Sequence, residues 1–158
     1  MEAHVRTAKK EDMPQVLKLI KELAAFEKEP SAVAVTVGDL EREGYGPAPL
    51  FTCFVAEVEK KTVGMALVYP RFSTWKGRSL HLEDLVVTQK FRGRGIGTQL
   101  YKRAMQHARQ QNANQAQWTV LNWNKNAIKM YRKSGAVFHK DWWLATLGRE
   151  GIEKNSNF

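Results

Sequence analysis

The chain has 158 residues, 43% hydrophobic and 26% charged, a length and balance that suit one domain burying roughly 70% of its unfolded surface and exclude disorder, collagen-like structure and a multidomain machine. Twenty-five Lys and Arg against 16 Asp and Glu give a net charge of +9, which favours an anionic partner: nucleic acid, an acidic membrane or a phosphorylated cofactor. The lone Cys53 can supply neither an internal disulfide nor a cysteine-rich metal site, Met1–His4 lacks a signal peptide's basic and apolar regions, and no apolar run approaches the roughly 18 residues of a membrane span. A soluble, cytoplasmic protein is expected.

An opening strand near His4–Thr7 precedes a helix over Glu11–Glu27, whose apolar face carries Met13, Val16, Leu17, Ile20, Leu23 and Ala24, with Asp12 and Pro14 as start signals. Thr36-Val37-Gly38-Asp39 is a capping-box pattern for a short second helix, stopped by Gly44-Tyr45-Gly46-Pro47. Phe51–Glu57, Thr62–Tyr69 and Ser79–Val87 then read as an antiparallel meander. Leu100, Tyr101, Ala104, Met105 and Ala108 recur at helical spacing beyond Gly97, and Ala116–Leu121 reads as the strand completing a crossover. Asn124 or Asn126 can cap another helix ending at Lys133, with Gly135 suited to a left-handed position after it; Trp142–Leu147 reads as a last strand, and the tail from Gly148 as mobile. No repeat or linker interrupts residues 1–147, which read as a single domain: an α/β mixed sheet, mostly antiparallel, flanked by helices, with a parallel pair near residues 80–121.

The turn Arg92-Gly93-Arg94-Gly95-Ile96-Gly97 lies between a strong strand and a strong helix. Glycines let backbone approach a ligand, and the N–H groups of a helix start favour anions, so this turn can cradle a pyrophosphate with Lys90, Arg92 and Arg94 beside it. The dinucleotide pattern fails, because Thr98 or Leu100 stands where its third glycine belongs, and no P-loop frame exists in the chain. What does match is Arg-x-x-Gly-x-Gly, directly after Leu85-Val86-Val87. This resembles the GNAT superfamily of acetyl-coenzyme A-dependent N-acetyltransferases.

The resemblance runs from about Val5 to Trp143 and narrows to the diamine acetyltransferase branch, on Leu19–Ala24 with Phe26-Glu27, Ser73-Thr74-Trp75-Lys76-Gly77-Arg78, Leu82-Glu83-Asp84, the Arg92–Gly97 turn, and Asn122-Trp123-Asn124 through Tyr131 and Gly135-Ala136, all in family order. The Ser73–Arg78 stretch looks more like the thialysine-acetylating members than the spermidine/spermine ones, which tend to carry Asp where Ser73 stands. The resemblance implies the GNAT fold, acetyl-CoA as co-substrate, a small-molecule amine acceptor and a homodimer; no metal is expected, because the histidines lack ligand spacing.

Acetyl transfer to nitrogen needs a neutral amine, and a lysine-like amine is neutral in only about one molecule in 2,500 at pH 7, a handicap of about 4.6 kcal/mol. Glu83, on the strand entering the turn, is the candidate proton acceptor. Asp84 points to the opposite face under strict alternation and joins it only through a β-bulge. The resemblance gives Tyr131 the role of protonating the departing thiolate, uphill by roughly 2 kcal/mol unless nearby positive charge helps. It also lays Leu85, Val86 and Val87 along the pantetheine arm, gives the pyrophosphate to Arg92, Gly93, Arg94, Gly95, Ile96, Gly97 and Thr98, lets Asn124 touch the cofactor, and places Phe26, Glu27, Trp75, Glu83 and Asp84 around the acceptor. Plainer roles stand beside these: a solvated turn, strand carboxylates, a core aromatic at Tyr131, a helix cap at Asn124, a solvated charge at Glu27 and a loop anchor at Trp75. His4, His81, His107 and His139 show no metal-ligand spacing. Rival readings are acetylation of a protein or antibiotic amine and, from another class, a basic nucleic-acid-binding module.

Overall fold

Apolar residues run almost without interruption through Cys53–Ala56 and Val63–Val68, the pattern of strands covered on both faces. The computed structural model describes residues 3–156. Among them, β1 (His4–Thr7), β2 (Thr52–Val58), β3 (Lys61–Ser73), β4 (Gly77–Val87) and β5 (Gln115–Gln117) form one sheet in chain order. Each of the first four runs antiparallel to its neighbour, and β5 runs parallel to β4. This sheet, with α1 (Met13–Phe26), α2 (Val37–Tyr45) and α3 (Ile96–Gln110), makes one unit, Met1–Leu121. A second unit, Asn122–Phe158, holds α4 (Lys125–Lys133) and α5 (Arg149–Asn155). No helix among the described residues is long and apolar enough to cross a membrane.

Strand alternation sorts the core into two layers. Phe54, Ala56, Ala66 and Val68 pack on one face with Ile96, Leu100, Ala104 and Ala108 of α3. Cys53, Val55, Met65 and Leu67 pack on the other with Met13, Val16 and Leu19 of α1 and Leu40 of α2. Leu19 thus joins the buried stripe of α1, which is wider than the sequence periodicity suggested. The capping box at α2 forms as expected: Asp39 N–H donates to Thr36 Oγ1 at 3.2 Å, and Thr36 N–H donates to the Asp39 carboxylate at 2.9 Å. Asp12 precedes α1 but makes no side-chain cap; its carboxylate takes Lys9 N–H at 2.7 Å and the Arg6 guanidinium at 2.7 and 2.9 Å, tying β1 to the helix start.

Three expectations change. The β3–β4 hairpin extends to Ser73 and Gly77, beyond the anticipated Tyr69 and Ser79. The strand expected over Ala116–Leu121 is only the three residues of β5, and its pairing stops at His81–Gln117 because β4 carries a bulge two residues later and bends there. Trp142–Leu147 is not a strand: β-prone residues make one only against a neighbouring strand, and among the described residues none pairs with this segment, where Trp142, Trp143, Leu144 and Leu147 stay exposed. The stretch after Gly148 carries the seven-residue α5.

Gly64 marks a close approach between β3, β4 and α3. A Cβ there would stand 2.8 Å from the Val86 carbonyl oxygen and 3.1 Å from Leu100 Cδ1. The backbone oxygen cannot fold away as a flexible side chain could, so Gly64→Ala is expected to destabilise the chain by about 1–3 kcal/mol. Urea denaturation checks this; an unchanged midpoint would contradict the tight approach.

Candidate active site

One extra residue in β4 builds the site. Val68 stands opposite Leu82 while Leu67, its neighbour, stands opposite Asp84, so Glu83 is the inserted residue of a β-bulge. Before the bulge Leu80 and Leu82 face α3; after it Leu85 and Val87 do, and Val86 turns to the α1 side. The inserted residue therefore brings both Glu83 and Asp84 to the α1 face, the condition under which the two carboxylates share a pocket.

On that face Tyr69 and His81 are direct partners across β3 and β4, with rings stacked at 4.9 Å and 27°. Tyr69 Oη donates to Glu83 Oε2 at 3.1 Å, and His81 Nε2 lies 3.3 Å from the same oxygen. Burial lowers the His81 imidazole below its ordinary value, with Arg71 adding to the effect and Glu83 opposing it. Burial, then Glu83, raises the Tyr69 phenol. Asp84 is pushed up to about 6, first by burial and then by the negative charges of Glu83 and Glu27. Glu27 is itself raised by burial, and it sits at the C-terminal end of α1, where the helix dipole already disfavours a negative charge. Burial makes ionisation costly for Asp84 and Glu27, and Glu83 adds a further negative charge beside Asp84, so an incoming cation would relieve the cluster.

The glycine-rich turn closes the other end of β4. Gly93 and Gly95 have φ of +75° and +78°, and a Cβ at either would meet nothing within 4 Å. Backbone conformation, not space, calls for glycine there. The first hydrogen bond of α3 runs from Gln99 N–H to Gly95 O at 3.1 Å, so the N–H groups of Ile96, Gly97 and Thr98 lie in the helix's first turn, where no intrahelical acceptor exists. At Gly97 a Cβ would make only an ordinary 3.8 Å contact with Val87; neither strain nor packing requires glycine, whereas a ligand lying against the backbone would. Because β5 pairing ends at His81, the edge of β4 from Leu82 to Val87 facing away from β3 meets no strand among the described residues.

The Arg92 side chain is turned toward α1 and the end of β4. Its Nε donates to Val87 O at 2.8 Å, its Nη2 lies 3.7 Å from Glu22 Oε1, and the guanidinium sits 5.0 Å over the Phe26 ring. Glu22 Oε1 also accepts Gln89 N–H at 2.8 Å, so Arg92, Glu22 and Phe26 brace the turn against α1. The Arg94 guanidinium lies 5.1 Å over the Phe91 ring.

Trp75 is not brought to the carboxylates. It is 83% exposed at the hairpin tip, where Ser73 Oγ accepts Trp75 N–H at 3.2 Å and Lys76 N–H at 3.1 Å, and six residues of β4 separate Gly77 from Glu83, roughly 20 Å of strand. In the second unit Tyr131 is buried on α4, and its carbonyl accepts the Ser134 hydroxyl at 2.7 Å. Asn124 caps α4 by accepting Ala127 N–H at 3.3 Å, and Gly135 takes the left-handed position with φ +89°. Sequence reasoning missed Tyr69, His81 and Glu22. A signal existed for the first two: Gly77, with φ +79°, is the residue that closes a three-residue hairpin loop, and counting back from the Ser73–Gly77 pair places Tyr69 opposite His81.

Residues 15–136 match the Acetyltransferase (GNAT) family. A thialysine N-epsilon-acetyltransferase of Bos taurus is 37% identical over 140 residues, covering 84% of this chain and 82% of that protein. Spermidine/spermine N(1)-acetyltransferase-like protein 1 of Homo sapiens is 40% identical; the match takes in 94% of this chain and 23% of that protein, so the chain spans less than a quarter of that relative's length. Among solved structures, an integron cassette protein from V. cholerae shares the fold with a TM-score of 0.79 at 22% identity, covering 100% of this chain and 99% of that one.

The position of Asp84 has a thermodynamic consequence. Its carboxyl binds a proton more tightly in the folded chain, at about 6 against an ordinary 3.8, so its favourable contribution is complete below about pH 4 and is lost as pH rises through 6. The difference corresponds to about 3 kcal/mol. Asp84→Asn is expected to raise unfolding stability by up to that amount at pH 8 and to give no gain at pH 3.5, as read by denaturant midpoints across pH.

Proposed function

The chain belongs to the GNAT acetyltransferase family, and on that premise we propose that this acetyl-CoA-dependent N-acetyltransferase takes the primary amine of a small diamine, polyamine or lysine-like molecule into the Glu27–Glu83–Asp84 cluster. The observation that carries this is a group of three carboxylates on one sheet face, with Glu27 and Asp84 both raised by burial, in a chain of net charge +9. A second ammonium on the acceptor would offset their mutual repulsion and would be favoured there over the basic remainder of the surface. Likeness to a thialysine acetyltransferase and to a spermidine/spermine acetyltransferase-like protein supports an acceptor carrying more than one amine.

Acetyl-CoA, when bound, supplies an activated thioester. The N–H groups of Ile96, Gly97 and Thr98, with the bend made by Gly93, Arg94 and Gly95, suit its pyrophosphate. Arg92 serves the turn through its brace on Glu22 and Phe26, and its cationic charge still adds to the field there. The β4 edge along Leu85, Val86 and Val87, which pairs with no further strand among the described residues, offers backbone groups to the pantetheine arm and to the carbonyl oxygen on which negative charge develops. The acceptor nitrogen bonds to the acetyl carbon as the C–S bond breaks. Glu83 takes the amine proton, directly or through one water, and Tyr131 returns a proton to the thiolate sulfur. Lys125, Lys129, Arg132 and Lys133 flank Tyr131 in sequence and would ease the release of its proton.

Acetyl-CoA consumption measured with putrescine, spermidine, lysine and thialysine tests the acceptor class. At least one of these should outperform an aminoglycoside and a lysine-bearing peptide, and the reverse order would overturn the reading. Tyr131→Phe is expected to slow turnover by about 100-fold or more while leaving acetyl-CoA affinity by calorimetry nearly unchanged. An unaltered rate would remove Tyr131 from the chemistry.

A further inference from the structure

We propose that Tyr69 and His81 are positioning residues for Glu83, holding one oxygen of its carboxylate between two donors so that the other oxygen receives the acceptor's proton. The inference rests on the reading of Glu83 as the proton acceptor and adds the residues that orient it.

Glu83 is half exposed, with 50% of its side chain open to solvent, and the terminal torsion of a glutamate is broad. Left alone, such a carboxylate would sample many orientations, and a misplaced base costs rate. Here the phenol of Tyr69 and the imidazole of His81 approach the same atom, Oε2, at 3.1 and 3.3 Å. The two rings are register partners on adjacent strands and are stacked on each other, so neither donor can swing away without breaking the stack. The sheet itself therefore presents the clamp. The bulge completes it, because a regular β4 could not carry His81, Glu83 and Asp84 on one face.

Neutral His81 can donate to this carboxylate oxygen only as the tautomer that carries its proton on Nε2. When His81 becomes charged, the same contact turns into an ion pair. Tyr69 from β3 and His81 and Asp84 from β4 interact with Glu83, Arg71 of β3 acts on Tyr69 and His81, and Glu27 at the end of α1 acts on Asp84, so any pH dependence has to be read against Asp84 as well.

Steady-state kinetics of the full chain with acetyl-CoA and the best acceptor among putrescine, spermidine, lysine and thialysine test this across pH 5.5–9, using Tyr69→Phe, His81→Leu, His81→Gln and Glu83→Gln. Tyr69→Phe and His81→Leu should each lower kcat by about tenfold with KM for acetyl-CoA unchanged. His81→Gln, which keeps an N–H donor at a similar reach, should recover most of the loss. Near-normal rates for the Tyr69 and His81 variants beside a slow Glu83→Gln would overturn the clamp and leave the base assignment standing. Loss of rate without rescue by Gln would make the pair merely structural and also overturn it. A fast Glu83→Gln would remove the base assignment on which the inference rests.

Discussion

The single inserted residue in β4 is the constraint on which the rest of the site depends. A β-strand alternates its side chains with period two, so adjacent carboxylates at 83 and 84 belong on opposite faces. The bulge breaks that alternation once. It moves Asp84 beside Glu83, restores Leu85 and Val87 to the α3 layer, and bends β4 just where β5 stops pairing. One local irregularity thus gathers the acidic groups and opens the strand edge leading to the glycine-rich turn.

The electrostatics divide along the same strand. Its exit runs into a turn whose glycines and first-turn N–H groups favour an anion, with Arg94 nearby. Its middle presents Glu83 and Asp84 toward Glu27, a local concentration of negative charge in a chain of net charge +9. Burial is what makes the acidic region costly, and that cost is what an acceptor ammonium can relieve. The thiol of Cys53 lies in the same layer and is raised to about 12 by burial, which leaves it an inert apolar filler.

Much of the fold was legible because it rests on local rules. The capping box at Thr36 and Asp39, the left-handed glycine after α4 and the covered central strands all follow from short-range sterics and hydrogen bonding. The bulge, too, could be deduced conditionally from the demand that Glu83 and Asp84 share a pocket. What was not legible depends on neighbours. Trp142–Leu147 has the composition of a strand, yet a strand exists only when another edge accepts its hydrogen bonds. Arg92 lies within a phosphate-like motif, yet its guanidinium turns back to Val87, Glu22 and Phe26, and adjacency in sequence does not report direction. Trp75 belongs to a family motif and still sits at the far end of its hairpin. His81 carries no metal spacing and looked idle; its partner Tyr69 appears only once the hairpin register is counted.

Glu22 and Glu27 share one helix, five residues and so about 7.5 Å of rise apart. The first holds the glycine-rich bend through Gln89 and Arg92, and the second faces the acidic cluster. The α1 rod is in effect a calliper, its two jaws set on the glycine-rich turn and on the acidic cluster and its gap fixed by helical pitch. A substitution that tilts or rolls this rod cannot retune one jaw alone, so evolutionary drift in acceptor choice would be mechanically coupled to the grip on the nucleotide.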